Sequence, residues 1–232
     1  MRPEELAAVK ELLDNLPADF QVMEKGISQA VLTEYYDYGE QVTADNRTAI
    51  LDNQEQWADL NIQALKCLLV ALAAEGNVKS FRQIETILSE KGDAIGDFGA
   101  VTRMYARMKL ESKLTDTPAG VILSGLGGKG DMLRYYFVLA SEEVITDARA
   151  RFVEGELQEI CQNHAAELEE VEHTPQYILV KILVSVAEAI GELIELVTDA
   201  CPFLEQEFIC TNVKKPSPEF IQRWMNNELD TE

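Results

Sequence analysis

The spacing of apolar residues changes near Pro118, and this change constrains the fold more than any other feature of the chain. Before it, helical spacing extends through "ILDNQEQWADLNIQALKCLLVALAAEGN", "FRQIETILSEKG" and "FGAVTRMYARMKLESKL". After it come "GVILSGL" and "DMLRYYFVLA", two short segments that are rich in β-branched or aromatic residues and separated by glycines. The sequence therefore predicts an α+β protein with a helical domain at 1–117 and an α+β domain at 118–232.

Two further predictions concern the start of the chain. The segment "RPEELAAVKELLDNLP" predicts a short amphipathic helix, because Leu6, Val9 and Leu13 recur at helical spacing. Pro17 ends that pattern. The later segment "EYYDYGEQVTADN" is aromatic and polar without a period, so we expect an irregular connection there.

From residue 131 to about 213 the pattern predicts strand, helix, strand, helix and strand, with "LEEVE" as a hairpin partner. This is the βαββαβ order of a ferredoxin-like sandwich, which we expect for the C-terminal half. The alternative is a winged-helix unit at about 60–140 followed by a helical hairpin. The two differ at residues 177–185, "YILVKILVS": the β-branched run after Pro175 favours a buried strand, although the spacing of Ile178 and Ile182 also fits a helix.

The stretch "LSGLGGKGD", residues 123–131, is the most loop-like in the chain. Gly125, Gly127 and Gly130 match the spacing G-x-G-x-x-G, which in dinucleotide-binding folds lets a pyrophosphate approach the start of a helix. Here a strand-like segment follows, and Gly130 stands after Lys129 where a phosphate-binding loop has Ser or Thr. We therefore expect a hairpin turn and no bound cofactor.

The composition argues against several classes of function. A formal charge of -21 and a pI near 4.4 oppose generic binding to nucleic acid or anionic lipid. No apolar run reaches the roughly 18 residues that span a bilayer, and the start lacks the apolar core of a secretion signal, so we expect a cytoplasmic protein. The cysteines are expected to be reduced thiols, since their spacing does not indicate disulfides: Cys67, Cys161, Cys201 and Cys210.

The charge is unevenly distributed along the chain. Residues 77–134 hold nine basic and seven acidic residues, so this segment is +2 while the rest of the chain is -23. Two predicted helices at 80–113 with a glycine-containing joint resemble a helix-turn-helix, whose second helix would carry Arg103, Arg107 and Lys109. Together with Lys129, these residues are the candidate contacts of an alternative function, that of a DNA-associated regulator.

No catalytic, cofactor-binding or metal-binding residue is predicted. Cys161 and His164 have C-x-x-H spacing and His173 is near them in sequence, but no fourth ligand is apparent, so we interpret them as a core thiol and surface histidines. The carboxylate clusters are interpreted as solvated surface. We therefore expect a non-catalytic protein that acts through protein contacts or self-association, with the strand predicted in "EQEFICTNV" as the edge that pairs.

One family resemblance concerns the end of the chain. "YILVKILVS" followed by "EFICTNVKKPSPEFIQRWMNNEL" resembles the end of the ferredoxin-like fold in single-tyrosine transposases of the HUH class, over roughly the last 90 residues. Where that family has His-hydrophobic-His this chain has "YILVKI", and Trp224 stands where the nucleophilic tyrosine would be. The resemblance therefore implies the fold and no transposase activity.

Overall fold

The structure, a computed structural model, describes residues 19–228. The chain forms two compact units. Within the described residues, the first unit, here called the helical unit, comprises 19–23 and Ile27–Leu123, and the second, the sheet unit, comprises Glu24–Gly26 and 124–228. The helix predicted at the start of the sequence lies outside the described residues. Among the helices of residues 19–228, none has the length and apolar character of a membrane-spanning segment.

The helical unit consists of consecutive helices joined by short connections. Its elements are β1 (Asp19–Val22), α1 (Gln29–Gln41), α2 (Ala44–Leu51), a 3-10 turn (Trp57–Asp59), α3 (Ile62–Glu75), α4 (Val78–Ile95), α5 (Asp97–Thr115) and β2 (Ala119–Ile122). Asparagine side chains cap two of the helices: Asn61 accepts a hydrogen bond from the Ala64 amide in α3, and Asn77 accepts one from the Ser80 amide in α4. Gly76, with a φ of 53°, ends α3 in the left-handed conformation.

The first helix of this unit corrects a prediction. The sequence predicts an irregular connection at residues 34–46, but residues 34–41 belong to α1 and residues 44–46 to α2. Tyr35 and Tyr38 lie three residues apart on this helix, and their rings pack against Phe98 of α5 at centroid distances of 5.3 and 5.4 Å. Packing against α5 therefore stabilises this helix, which the local spacing of apolar residues does not predict.

A contiguous apolar core holds the helical unit together. Fully buried side chains of α3, α4 and α5 meet in it: Leu65, Leu68, Leu69, Leu72, Ile84, Ile87 and Phe98. Within α3 and α4 these residues recur every three or four positions, which is the pattern that predicts the helices. The single helix expected from about residue 49 to 74 is instead α2 and α3, with the 3-10 turn between them.

The segment before the glycine cluster forms a short parallel pairing in place of the expected hairpin, while the tight turn at the glycines joins Gly128–Lys129 to Met132–Ala140. β2 pairs with β1 in parallel, from Asp19 opposite Ala119 to Val22 opposite Ile122, and not with the strand that follows the glycines. It thereby belongs to the helical unit, which ends at Leu123, whereas the sequence predicts a division at 117/118. Parallel strands need a long connection, so no local turn signal in the sequence indicates this pairing.

The sheet unit contains the antiparallel sheet and its helices. Its elements are β3 (Gly128–Lys129), β4 (Met132–Ala140), α6 (Asp147–Asn163), β5 (Ala166–His173), β6 (Tyr177–Ser185), α7 (Ile190–Ala200), β7 (Phe208–Thr211) and α8 (Pro218–Met225). β4 and β6 pair along their whole length, β5 pairs with the other side of β6, and β3 and β7 both pair with the other side of β4. The protein is therefore α+β, as predicted.

Helices cover one face of this sheet and part of the other. Phe137 and Val180 project from the first face into a buried cluster shared with α6 and α7. Val138 and Leu179 project from the opposite face and cluster with Ile221 of α8. Because both faces of the central strands are buried, β6 reads in sequence as an apolar run without strict alternation.

The segment at 177–185 is a strand, β6, which settles the ambiguity of its sequence pattern. The alternative of a winged-helix unit at about 60–140 followed by a helical hairpin is wrong for two reasons. Residues 166–173 and 177–185 form strands, and the region 60–140 is divided between the two units. Pro175 lies in the connection between β5 and β6, where a helix could not have continued.

Candidate functional site

The glycine cluster packs closely against backbone from two other segments of the sheet unit. Gly127 and Gly130 have φ values of 68° and 62°, and Gly130 lies in the tight turn between β3 and β4. A Cβ atom on Gly125 would lie 1.9 Å from the carbonyl oxygen of Val213, and one on Gly127 would lie 2.1 Å from that of Glu24. The close approach that requires glycine is therefore made to the protein's own backbone. A strand follows the cluster, as predicted.

Two of the three cations on the second helix of the predicted helix-turn-helix are engaged in ion pairs. Arg103 Nε lies 2.6 Å from Glu85 Oε1, which joins α5 to α4. Arg107 Nε lies 2.7 Å from Glu111 Oε1, one turn further along α5. The third cation, Lys109, stands beside the ring of Tyr105, with its ammonium 6.0 Å from the ring centroid. The arginine charges are therefore partly neutralised within the helical unit.

The remaining features of the proposed DNA-binding segment differ from a helix-turn-helix. α4 and α5 are joined by Gly96 alone, whereas the motif joins its helices by a turn of about three or four residues. Lys129, the fourth candidate contact, belongs to the sheet unit, where its ammonium lies 2.7 Å from the Glu167 carboxylate. The structure thus brings Arg103, Arg107 and Lys109 together on α5 and places Lys129 on another element.

The residues considered as metal ligands contact separate partners. His164 Nδ1 lies 3.4 Å from Glu188 Oε2, and His173 Nε2 lies 3.6 Å from Asp147 Oδ1. Cys161 is half-buried in α6, and burial raises the pKa of its thiol. Across residues 19–228, no group of three or more His, Cys, Asp or Glu side chains is placed to hold a metal ion.

The carboxylates of β5 pair with cations from other parts of the sheet unit. Glu169 accepts hydrogen bonds from Arg134 of β4 at 2.6 and 2.8 Å, and it lies 3.4 Å from Lys181 of β6. The hydrogen-bonded Arg134 guanidinium lowers the pKa of Glu169 below its usual value, against the opposing effect of partial burial. Glu172 pairs with Lys215. The cluster that the sequence suggests is simply solvated is therefore an ordered set of ion pairs.

The two ends of the sheet differ in chemistry. β5, which pairs only with β6 among the described strands, carries four glutamates and a bulge between Leu168 and Glu170. Charged side chains and bulges both discourage the addition of another strand. β7, which pairs only with β4 within residues 19–228, has the uncharged sequence "FICT". Of these two strands, β7 is therefore the one suited to pairing with a further strand.

A pocket of about 360 Å³ lies among α1, α2, α3 and α5 of the helical unit. Its lining includes three tyrosines and two cations, Tyr35, Tyr36, Tyr105, Arg47 and Lys109, together with aliphatic side chains such as Val70. The rings of Tyr35 and Tyr105 lie 5.7 Å apart between centroids. Burial, with a smaller effect of Tyr105 and Tyr36, raises the pKa of the Tyr35 hydroxyl, so this group remains a neutral hydrogen-bond donor.

Sequence reasoning does not find this pocket, because its lining comes from four helices that are separated in the chain. The tyrosines of α1 fall in a segment predicted to be irregular, and Arg47 lies in a polar stretch without a motif. Only Lys109 was a candidate residue, and for a different ligand. One signal in the sequence could have indicated the pocket. The aromatic pair Tyr35 and Tyr36 is followed by Arg47, and arginines are scarce in this chain, which has 20 basic and 41 acidic residues.

Comparisons with known proteins give little information about this chain. No protein-family model matches it, and no curated protein matches it. A crystal structure of a "putative transposase" from Deinococcus radiodurans R1 is similar at 17% sequence identity and a TM-score of 0.36, covering 42% of this chain and 91% of that one.

Proposed function

We propose that the protein is a non-catalytic, cytoplasmic protein that acts through protein contacts and self-associates along β7. The observation that carries this proposal is the contrast between the two ends of the sheet. β5 is occupied by paired glutamates and a bulge, whereas β7 is uncharged and hydrogen-bonds to β4 on one side within the described chain. A second copy of the chain can extend the sheet there about a two-fold axis.

The chain on either side of β7 supports a second copy as the partner. Glu205 and Glu207 precede the strand and Lys214 follows it, whereas the next residue, Lys215, is paired with Glu172 of the same chain. When two such strands pair antiparallel about a two-fold axis, the acidic flank of one copy lies beside the basic flank of the other. The segment is therefore self-complementary in charge, which is what an interface between identical chains requires.

The proposal treats the sheet unit as a ferredoxin-like sandwich. Two observations support that description: the element order β4, α6, β5, β6, α7, β7 is βαββαβ, and the strands other than β3 lie in the order β7-β4-β6-β5. In this arrangement the last strand, β7, lies at an end of the sheet. An added strand would then extend the sheet without disturbing the helices that cover its faces.

Charge exchange at the two flanks tests this proposal. The mass of the full chain in solution is measured by size-exclusion chromatography with light scattering, from about 1 to 100 μM. We expect a dimer for the wild-type protein and a shift to monomer for K214E and for E205K/E207K, since each variant places like charges together. An equimolar mixture of the two variants restores opposite charges at both contacts, so it should dimerise.

The matched control is K91E, which makes the same change of charge on an exposed lysine of α4. This variant should dimerise like the wild type. A wild-type chain that is monomeric at every concentration would overturn the proposal. A dimer that neither flank variant weakens would show that self-association uses another surface, which also contradicts the role given to β7.

A DNA-associated regulator is the second function that we propose to test, on the basis of the cationic side of α5. Arg103 and Arg107 are both about half exposed despite their ion pairs, so they could exchange a glutamate for a phosphate. Binding to duplex DNA that weakens steeply with salt, and that the double variant R103A/R107A abolishes, would support this function. No retention of DNA at low salt would exclude it.

A further inference from the structure

We propose that the pocket of the helical unit binds a small organic anion, a carboxylate or a phosphate monoester with a compact apolar body, whose charge is met by Arg47 and Lys109. The inference concerns a different unit from β7 and does not depend on self-association. It rests on three features of the pocket: an arginine atom without a partner in the described chain, a second cation in the same lining, and an apolar and aromatic wall.

The arginine is the first of these features. The Nε atom of Arg47 is buried, yet it has no hydrogen-bond partner within the described part of the chain. Leaving a buried donor unpaired costs about 1–3 kcal/mol, and more for a charged group. With 41 acidic and 20 basic residues in the chain, a carboxylate partner would be easy to supply. An anion from solution would provide the acceptor that this guanidinium lacks.

The second cation lies in the same lining. Lys109 makes no ion pair with the described residues, and its ammonium stands 6.0 Å from the ring centroid of Tyr105. No aspartate or glutamate is among the lining residues within 19–228. Two positive charges without a negative one, in a protein whose net charge is -21, form a local site that attracts a small anion.

The rest of the wall suits an apolar ligand body. Val42, Val70 and Ala74 contribute aliphatic surface, and the rings of Tyr35 and Tyr105 contribute aromatic surface. The volume of about 360 Å³ falls at the lower end of the range of small-molecule sites, about 300–1,000 Å³. The neutral Tyr35 hydroxyl adds a hydrogen-bond donor and no competing negative charge.

Size and charge together favour a small ligand over a polymer. The long-range repulsion from a chain of net charge -21 grows with the number of charges on the approaching molecule. A single carboxylate or phosphate group experiences little of this repulsion, and two cations suffice to neutralise it. We therefore infer an anion of one or two charges and not a nucleic-acid strand.

Calorimetry on the full chain tests the inference with three probes of similar shape: benzoate, phenyl phosphate and the neutral benzamide. We expect saturable binding of benzoate, phenyl phosphate or both, and the comparison between these two distinguishes the carboxylate from the phosphate. Benzamide should bind at least tenfold more weakly, because it lacks the charge. Affinity for the anion should also fall as salt is added.

The variants R47M and K109M should each weaken binding of the anion by about tenfold or more, since each removes one charged contact. Because Lys109 is exposed, K109M keeps the test valid even if R47M alters the fold. K91M, with the same loss of charge on another exposed lysine, should bind like the wild type. The inference is overturned if neither anion binds, if benzamide binds as well as they do, or if R47M/K109M binds them unchanged.

Discussion

Two regions of the molecule, the ion pairs of β5 in the sheet unit and the pocket of the helical unit, differ in how they accommodate positive charge. In the sheet unit, Arg134 and Lys181 face the carboxylate of Glu169, so these partly buried cations have partners within the protein. In the helical unit, Arg47 and Lys109 line a pocket in which no described carboxylate meets them. Because acidic residues outnumber basic residues by about two to one in this chain, a cation that no carboxylate meets is unusual. The paired cations of β4 and β6 stabilise the sheet unit, whereas the two cations of the pocket are available to a ligand.

The two units can be compared in solution because each contains one tryptophan. Trp57 packs against the core of the helical unit, and Trp224 packs against the cluster between the sheet and α8. In the variant W57F the fluorescence reports unfolding of the sheet unit, and in W224F it reports unfolding of the helical unit. A chain with two units need not unfold in a single step, so each unit requires its own probe.

The largest effect is expected for G125A in the sheet unit. The added Cβ would lie 1.9 Å from the Val213 carbonyl oxygen, which forces two backbone segments apart. We expect a loss of about 3 kcal/mol or more in the free energy of unfolding, measured by denaturant titration of Trp224 fluorescence. The matched control is G155A in α6, because a Cβ atom at Gly155 meets nothing within 4 Å. This variant should be more stable than the wild type by about 0.5–1 kcal/mol. An unchanged G125A would show that the turn is not packed as described.

At the glycine cluster, the sequence predicts the local structure but not the contacts with remote segments. That a strand follows the turn is evident from the β-branched and aromatic residues after Gly130, and so is most of the element order of the sheet unit. The contacts that require glycine, with Glu24 and Val213, join segments that are remote in sequence, so no local pattern indicates them. Contacts between remote segments also explain why the sequence does not predict α1 or the pocket. Tyr35, for example, packs against Phe98 of α5, which lies far from it in the sequence.

The next largest effect is expected for R134M, which leaves Glu169 without its main partner. Both side chains are largely shielded, with 19% and 24% of their surface exposed, so the loss should be about 1–2 kcal/mol at pH 7. Because Arg134 lowers the pKa of Glu169, the pair stabilises the fold above the ordinary glutamate pKa of about 4.3 and loses this effect as the pH falls through the lowered value. The difference between R134M and wild type should therefore shrink on acidification, measured by Trp224 fluorescence. A difference that is independent of pH would assign the loss to packing instead.

R47M should have the opposite sign in the helical unit. It removes a buried donor that has no partner, so the free energy of unfolding should stay the same or rise by up to about 1 kcal/mol, measured by Trp57 fluorescence. The two arginine variants would then differ: R134M lowers the free energy of unfolding of the sheet unit, whereas R47M does not lower that of the helical unit. Destabilisation by more than about 1 kcal/mol would mean that Arg47 supports the fold, and the comparison between the two units would fail.

The smallest effect is expected for the ion pair between Lys129 and Glu167. It tests whether burial explains the larger effect expected for the pair of Arg134 and Glu169. This pair also links β5 to a cation, but its side chains are 58% and 46% exposed. The coupling energy from a double-mutant cycle of K129Q, E167Q and the double variant should be about 0.2–0.5 kcal/mol, and it should vanish at about 1 M salt. If it equalled the coupling between Arg134 and Glu169, pairing alone would set the stability of the sheet unit. A small value would instead indicate that the larger effect expected for Arg134 and Glu169 comes from the partial burial of that pair.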